Sequence, residues 1–135
     1  MGKKRMSKAG LLLAMLFVAC LFACAHAVVE APAEPEAETI LNKLLSAVQN
    51  DNYPEFIADS TPEVKARLTK EMLAKVSEQL APRMNKGYSK TYLGELNQQG
   101  YQVYLWKLTF TEGGDDILAK LVLGQDHKVA GFWFQ

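Results

Sequence analysis

Downstream of residue 27 the chain has no cysteine, because Cys20 and Cys24 are its only two. A domain that starts at Val28 therefore has no disulfide, although export normally permits them, and no thiol nucleophile or thiolate metal site. Its stability must come from packing. Histidine is as scarce: His127 is the only one after residue 26. It follows Asp126 between two strand-like segments, where a turn role is expected and a metal or proton-transfer role is not, so no metal site and no cofactor are anticipated. A Gly-x-Ser-x-Gly elbow, a phosphate-cradling glycine loop and a dinucleotide fingerprint are all missing. Gly113-Gly114 is a turn. No basic stripe interleaved with aromatics occurs, which argues against a nucleic-acid partner. No internal repeat is visible, and no apolar run reaches the ~20 residues of a membrane-spanning helix.

What the chain does have is a marked N-terminus. Lys3, Lys4, Arg5 and Lys8 precede an apolar run from Leu11 to Phe22, followed by Cys24 and Ala25-His26-Ala27. A basic stretch, an apolar stretch of about a dozen residues and a small-x-small site together read as an export signal. Cleavage before Val28 would release a soluble periplasmic or secreted protein. Leu21-Phe22-Ala23-Cys24 instead resembles the bacterial lipobox, which would end the signal at residue 23 and make Cys24 the lipidated first residue of a membrane-anchored lipoprotein. Phe22 is bulkier than that pattern prefers. Either way the expected location is extracytoplasmic, with the membrane engaged only through such an anchor.

Charge divides the remainder. The 15 acids match the 15 bases overall, but four bases lie in the signal, so residues 28–135 carry four excess acids. These are Glu30, Glu34, Glu36 and Glu38. Together with Pro32 and Pro35 they suggest an acidic Pro/Ala/Glu spacer over residues 28–38; the alternative is a frayed N-terminus with Glu36 and Glu38 in a first helical turn. Residues 39–135 then form one domain with 11 acids and 11 bases, large enough for a single modest core.

The first half of that domain has helical spacing. Leu41, Leu44, Leu45 and Val48 form one stripe on a helix from about Glu36 to Gln49, stopped by Asn50-Asp51-Asn52. Tyr53 to Ala58 suits a short helix, and Ser60-Thr61-Pro62-Glu63 carries start signals for another. Thr69 caps a further segment in which Met72, Leu73, Val76 and Leu80 form a stripe, with Pro82 and Gly87 limiting its length.

From Gly87 the period changes to two. Tyr88–Leu96, Tyr101–Thr111, Ile117–Leu123 and Lys128–Phe134 read as strands of an antiparallel meander. A hairpin centred on Gly113-Gly114 pairs Tyr104 with Leu123, Trp106 with Leu121, Leu108 with Ala119 and Phe110 with Ile117. A turn at Asp126-His127 sets Leu123 against Ala130, Leu121 against Phe132 and Ala119 against Phe134. Both turns put these apolar side chains on one face, which the helices must cover. Tyr92 joins that face beside Trp106 or the opposite one beside Leu105, depending on the length of the first turn. The opposite face is mixed, with Leu105, Val122, Gly131, Lys107, Lys120 and Trp133. It is either solvated, with lysine stems shielding Trp133, or a homodimer contact. The expected fold is thus an α+β roll: two to three N-terminal helices packed on one face of a curved four-stranded antiparallel meander sheet.

Leu41 to Phe56, Leu68-Thr-Lys-Glu-Met-Leu73, the Gly87 break and Gly124-Gln-Asp-His-Lys-Val-Ala-Gly-Phe-Trp-Phe134 resemble small secreted bacterial members of the nuclear transport factor 2-like superfamily, largely of unknown function. The resemblance spans residues 39–135 and departs at His127, where that hairpin commonly has glycine. It implies a cone between the helices and the bent sheet, serving as packed core, ligand pocket or active site. Tyr53, Phe56, Tyr104, Trp106, Phe132 and Phe134 are the candidate pocket lining. Isomerase- and dehydratase-like relatives use a carboxylate or histidine base with a tyrosine donor, which makes Asp59, Glu55, Tyr53 and Tyr104 the groups to inspect. Asp59 has a simpler explanation in a helix-capping turn and Glu55 as a solvent-facing group, so no catalytic residue is assigned. The expectation is an exported cell-envelope binding or interaction module, its ligand an apolar small molecule or an envelope protein. A small isomerase- or dehydratase-like enzyme, or an accessory or inhibitor-like protein, is the alternative.

Overall fold

The computed structural model describes residues 33–135. The export signal, Cys24 and its lipobox, and residues 28–32 of the proposed spacer lie outside the described residues. Four helices precede four strands: α1 (Pro35–Gln49), α2 (Tyr53–Ile57), α3 (Pro62–Arg67), α4 (Lys70–Asn85), β1 (Tyr88–Gln98), β2 (Tyr101–Phe110), β3 (Ile117–Leu123) and β4 (Val129–Phe134). The strands form one antiparallel sheet in the order β1-β2-β3-β4. This is the expected α+β roll, with four helices rather than two to three.

Pro35 stands at the first position of α1, where its fixed φ suits a helix start, and Glu36 and Glu38 occupy the first turn. Residues 35–38 are therefore helix, as the alternative to the spacer anticipated. The stripe Leu41, Leu44, Leu45 and Val48 is buried, joined by Ala37, Ile40 and Ala47. The helix ends at Asn50, whose N–H bonds back to Ser46 and Val48, and Asp51 takes a positive φ of 49°. Asn52 caps α2, Thr61 caps α3 and Thr69 caps α4 through their side-chain oxygens.

Two helical expectations are corrected. Met72 lies outside the buried stripe of α4 and is 51% exposed, whereas Leu73, Ser77, Leu80 and Met84 face the core. Pro82 does not limit the helix, which continues to Asn85. One missing N–H removes a single helical bond. Buried Met84 and the Arg83 guanidinium, 3.8 Å over the Phe110 ring, hold the last turn. Gly87, at φ 105°, ends it.

Between β2 and β3 the register departs from expectation by a whole pleat, so the faces of those strands survive. Tyr104 pairs with Leu121, Trp106 with Ala119 and Leu108 with Ile117, each two residues from the anticipated partner, and Phe110 projects beyond β3. The cause is the β2–β3 loop, which folds over α4: Arg83 Nη2 donates to the Gly113 and Asp115 carbonyls at 3.3 and 3.0 Å. Ala119 with Phe134 and Leu121 with Phe132 pair as expected, but an irregularity at Val122/Leu123 sets Leu123 against Val129 rather than Ala130, a slip of one residue that puts Val129 in the core in place of Ala130. Tyr92 lies inside, opposite Trp106. Turn length alone does not put it there: a bulge between Tyr92 and Gly94 absorbs one residue and changes the register part-way along β1.

Candidate functional site

The concave face of the sheet is closed by its own side chains. Tyr104 and Trp106 are each 2% exposed and Phe56 is buried, while Tyr53, Phe132 and Phe134 are partly buried against the same cluster. Phe56 meets Phe132 with ring centroids 6.0 Å apart, Phe132 meets Phe134 edge-on at 4.9 Å, and Tyr104 stacks on Trp106 at 6.0 Å. Such spacings are those of aromatic rings in mutual contact. The structure thus brings the candidate lining together as packed core. The Tyr53 hydroxyl is occupied as well, donating to the Leu68 carbonyl at 2.8 Å and so tying α2 to the end of α3.

The acids singled out from sequence have local partners. Glu55 Oε2 accepts from Asn52 Nδ2 at 3.0 Å while its N–H donates to Asn52 Oδ1, a reciprocal cap that uses both groups. Asp59 bonds Lys43 at 2.5 Å, with both side chains nearly half exposed. The expected cap in Asp59-Ser60-Thr61-Pro62 is supplied by Thr61. His127 sits at a hairpin tip with φ 59°, and its Nδ1 lies 2.7 Å from Glu36 Oε2. Glu36, Lys43, Asp59 and His127 border an open hollow of about 450 Å³ between α1, the α2–α3 link and the β3–β4 turn. Ser60, whose buried Oγ has no partner, is not among the residues lining it. Among the described residues no cluster of His, Cys, Asp and Glu has the arrangement of a metal site.

A polar cluster at the rim of the core was not anticipated: its phenols lie against the core, while its carboxylates, Glu34 and Glu95, belong to exposed residues. Tyr104 donates to Glu34 Oε2 at 2.5 Å, and Tyr92 donates to Glu95 Oε2 at 3.4 Å. Glu95 is the cross-strand partner of Tyr104, so the two phenols and two carboxylates meet at the hairpin end of β1 and β2. Burial holds the Tyr104 phenol well above its ordinary range, reinforced by its bond to Glu34 and by the negative charges of Glu34 and Glu95. Burial likewise raises Tyr92, with Glu95 as the next cause. Both phenols therefore keep their protons and act as donors.

Glu34 precedes α1 yet makes no side-chain cap, because its carboxylate is spent on Tyr104. Its neighbours follow suit: Glu36 reaches His127, and Glu38 meets Lys90 of β1 at 2.5 Å. Three acids that composition alone assigns to a spacer fasten the start of α1 to β2, the β3–β4 turn and β1. Each partner is 52 to 91 residues away, so local sequence carries no sign of the pairing. Glu95 and Tyr92 had one signal, the glycine at position 94 inside a strand, which marks a bulge.

No family model matches the chain, and no curated protein matches it. Among solved structures, a SnoaL-like protein of unknown function from Burkholderia thailandensis overlaps it with a TM-score of 0.42 at 15% identity, covering 78% of this chain and 98% of that one.

Proposed function

We propose that this chain is an exported binding module of the cell envelope that works through its surfaces and not through its interior, without catalysis. The observation that carries this reading is the filled cone: Tyr104, Trp106 and Phe56 are buried against one another and their neighbours where a pocket would have to lie. The basic, apolar and small-residue order of residues 3–27 supports the extracytoplasmic address.

One observation favours a second reading. Glu34 and Tyr104 place a carboxylate 2.5 Å from a phenol on the inner face, the pairing that enolate chemistry uses. Against it, the phenol's proton is already committed to a carboxylate of the same chain, which leaves neither group free to serve a substrate.

The test is a turnover screen with ketosteroid-type isomerisation and dehydration substrates on wild type, Glu34→Gln, Glu95→Gln, Asp59→Asn and Glu55→Gln. All five proteins are expected to match the uncatalysed rate. Turnover in the wild type that one substitution abolishes, with unfolding unchanged, would replace the binding module by the enzyme.

A further inference from the structure

The β1–β2 hairpin and the β3–β4 turn lie at the same end of the sheet, where amides and one exposed ring make up the surface. The hairpin turns through Gln99-Gly100 with φ of 52° and 82°, the two positive values that a tight two-residue turn requires. Asparagine or glycine suits the first of these positions better, so Gln99 carries its longer amide at the tip against backbone preference. Gln98 pairs with Tyr101 across the hairpin, and a β-carbon on Gly100 would lie 3.5 Å from Gln125 Nε2, so the amide of the β3–β4 turn reaches the hairpin. Tyr101 is 45% exposed.

Two adjoining hollows share Gln99 and Tyr101 as lining. One, of about 440 Å³, adds Gln98 over Val103 and Val122. The other, of about 470 Å³, adds Gln125, Thr61 and Ala130 with the carboxylates of Glu63 and Asp126. Both volumes fall within the range of small-molecule sites, roughly 300–1,000 Å³. No residue lining either hollow is basic. Gln98, Gln99 and Gln125 are exposed, and each side-chain amide offers a ligand one acceptor oxygen and two donor hydrogens in a plane.

These groups select the ligand by chemistry. An anion would meet Glu63 and Asp126 with no base to receive it. An apolar molecule would leave much of its surface in water, because both hollows are open. A sugar ring matches what is offered: its C–H face suits the electron-rich face of a phenol ring, and its neighbouring hydroxyls donate to and accept from planar amides and carboxylates. Val103, Val122 and Ala130 supply small apolar patches for the ring edges. We propose that the hairpin end of the sheet is a binding site for a neutral oligosaccharide, one sugar ring stacked on Tyr101 and adjacent units lying in the two hollows. The proposal rests on the reading of the chain as a surface-binding module, which the turnover screen tests separately: catalysis there ends that reading, whereas failure here removes only this ligand.

The test is an NMR titration of the nitrogen-15-labelled chain, purified as the host processes it, with maltohexaose, cellohexaose, N-acetylchitohexaose and the anionic hexagalacturonate at millimolar concentration. At least one neutral hexamer is expected to shift the side-chain amide signals of Gln98, Gln99 and Gln125 saturably, and hexagalacturonate is expected to leave them in place. Tyr101→Ala should raise the Kd by about tenfold or more, and Tyr101→Phe, which keeps the ring, by no more than about threefold. Both variants should keep the unfolding midpoint, since the side chain is half exposed. If Tyr101→Ala fails to fold, Gln125→Ala gives the same reading by weakening binding from the neighbouring turn. Amide signals that no neutral hexamer moves overturn the proposal, as do shifts confined to another surface or binding that Tyr101→Ala leaves intact. Tighter binding of hexagalacturonate overturns it in favour of an anionic ligand.

Discussion

Trp106→Ala is expected to destabilise the fold by about 3–5 kcal/mol, through lost burial and a cavity its neighbours cannot fill. The indole is 2% exposed and is flanked on three sides by parts of the core that cannot follow it. Tyr92 packs at 5.5 Å from β1, Tyr104 at 6.0 Å along β2, and Ala119 faces it from β3. The small Ala119, fully buried, is what leaves room for the large ring. Chemical denaturation measures the loss, and a value below about 1 kcal/mol would contradict the inward assignment of this face.

The second large effect belongs to Gly87, which turns the chain from α4 into β1. Its φ of 105° is a conformation that L side chains rarely adopt, and an added β-carbon would lie 2.8 Å from Thr111 Oγ1. The backbone cannot relax away easily. The Gly87 N–H bonds the Met84 carbonyl at 3.0 Å, and its carbonyl accepts from Thr111 N at 2.9 Å. Gly87→Ala should therefore cost about 1–3 kcal/mol, an amount typical of a non-glycine residue forced into such backbone. An unchanged denaturation midpoint would mean that the helix-to-sheet turn has another low-energy form.

How much of this was legible in the sequence depends on the range of the interaction. The α1 stripe was legible because a period of 3.6 is written in consecutive residues, and Leu41, Leu44, Leu45 and Val48 are all buried. The faces of β2 and β3 were legible because a shift of two residues keeps a side chain on its own side, so Trp106 points inward whether it meets Leu121 or Ala119; at the start of β4 a slip of one residue puts Val129 inside where Ala130 was expected. The register itself was not. It is set by Arg83, some 30 residues away, gripping the Gly113 and Asp115 carbonyls and covering Phe110. Tyr92 turned on a bulge, which a count from the hairpin cannot foresee unless Gly94 is taken as its marker.

The polar cluster was the least legible part. Glu34, Glu36 and Glu38 sit among prolines and alanines, a composition that by itself favours an extended chain. Their partners Tyr104, His127 and Lys90 come from three parts of the sheet, and only the folded roll brings them within reach. Asp59 and Glu55 were the visible acids, and both are satisfied by near neighbours in space: Lys43 and Asn52.

The central claim is that the interior is occupied by the protein itself. It is tested most directly by a fluorescence titration of Trp133→Phe, which leaves Trp106 as the sole tryptophan, against apolar ring compounds such as steroid ketones, with acrylamide as an aqueous quencher. The filled cone predicts that Trp106 emission stays constant at every ligand concentration and resists the quencher throughout. A saturable change in Trp106 emission, with the fold still intact, would mean that the cone opens to a ligand.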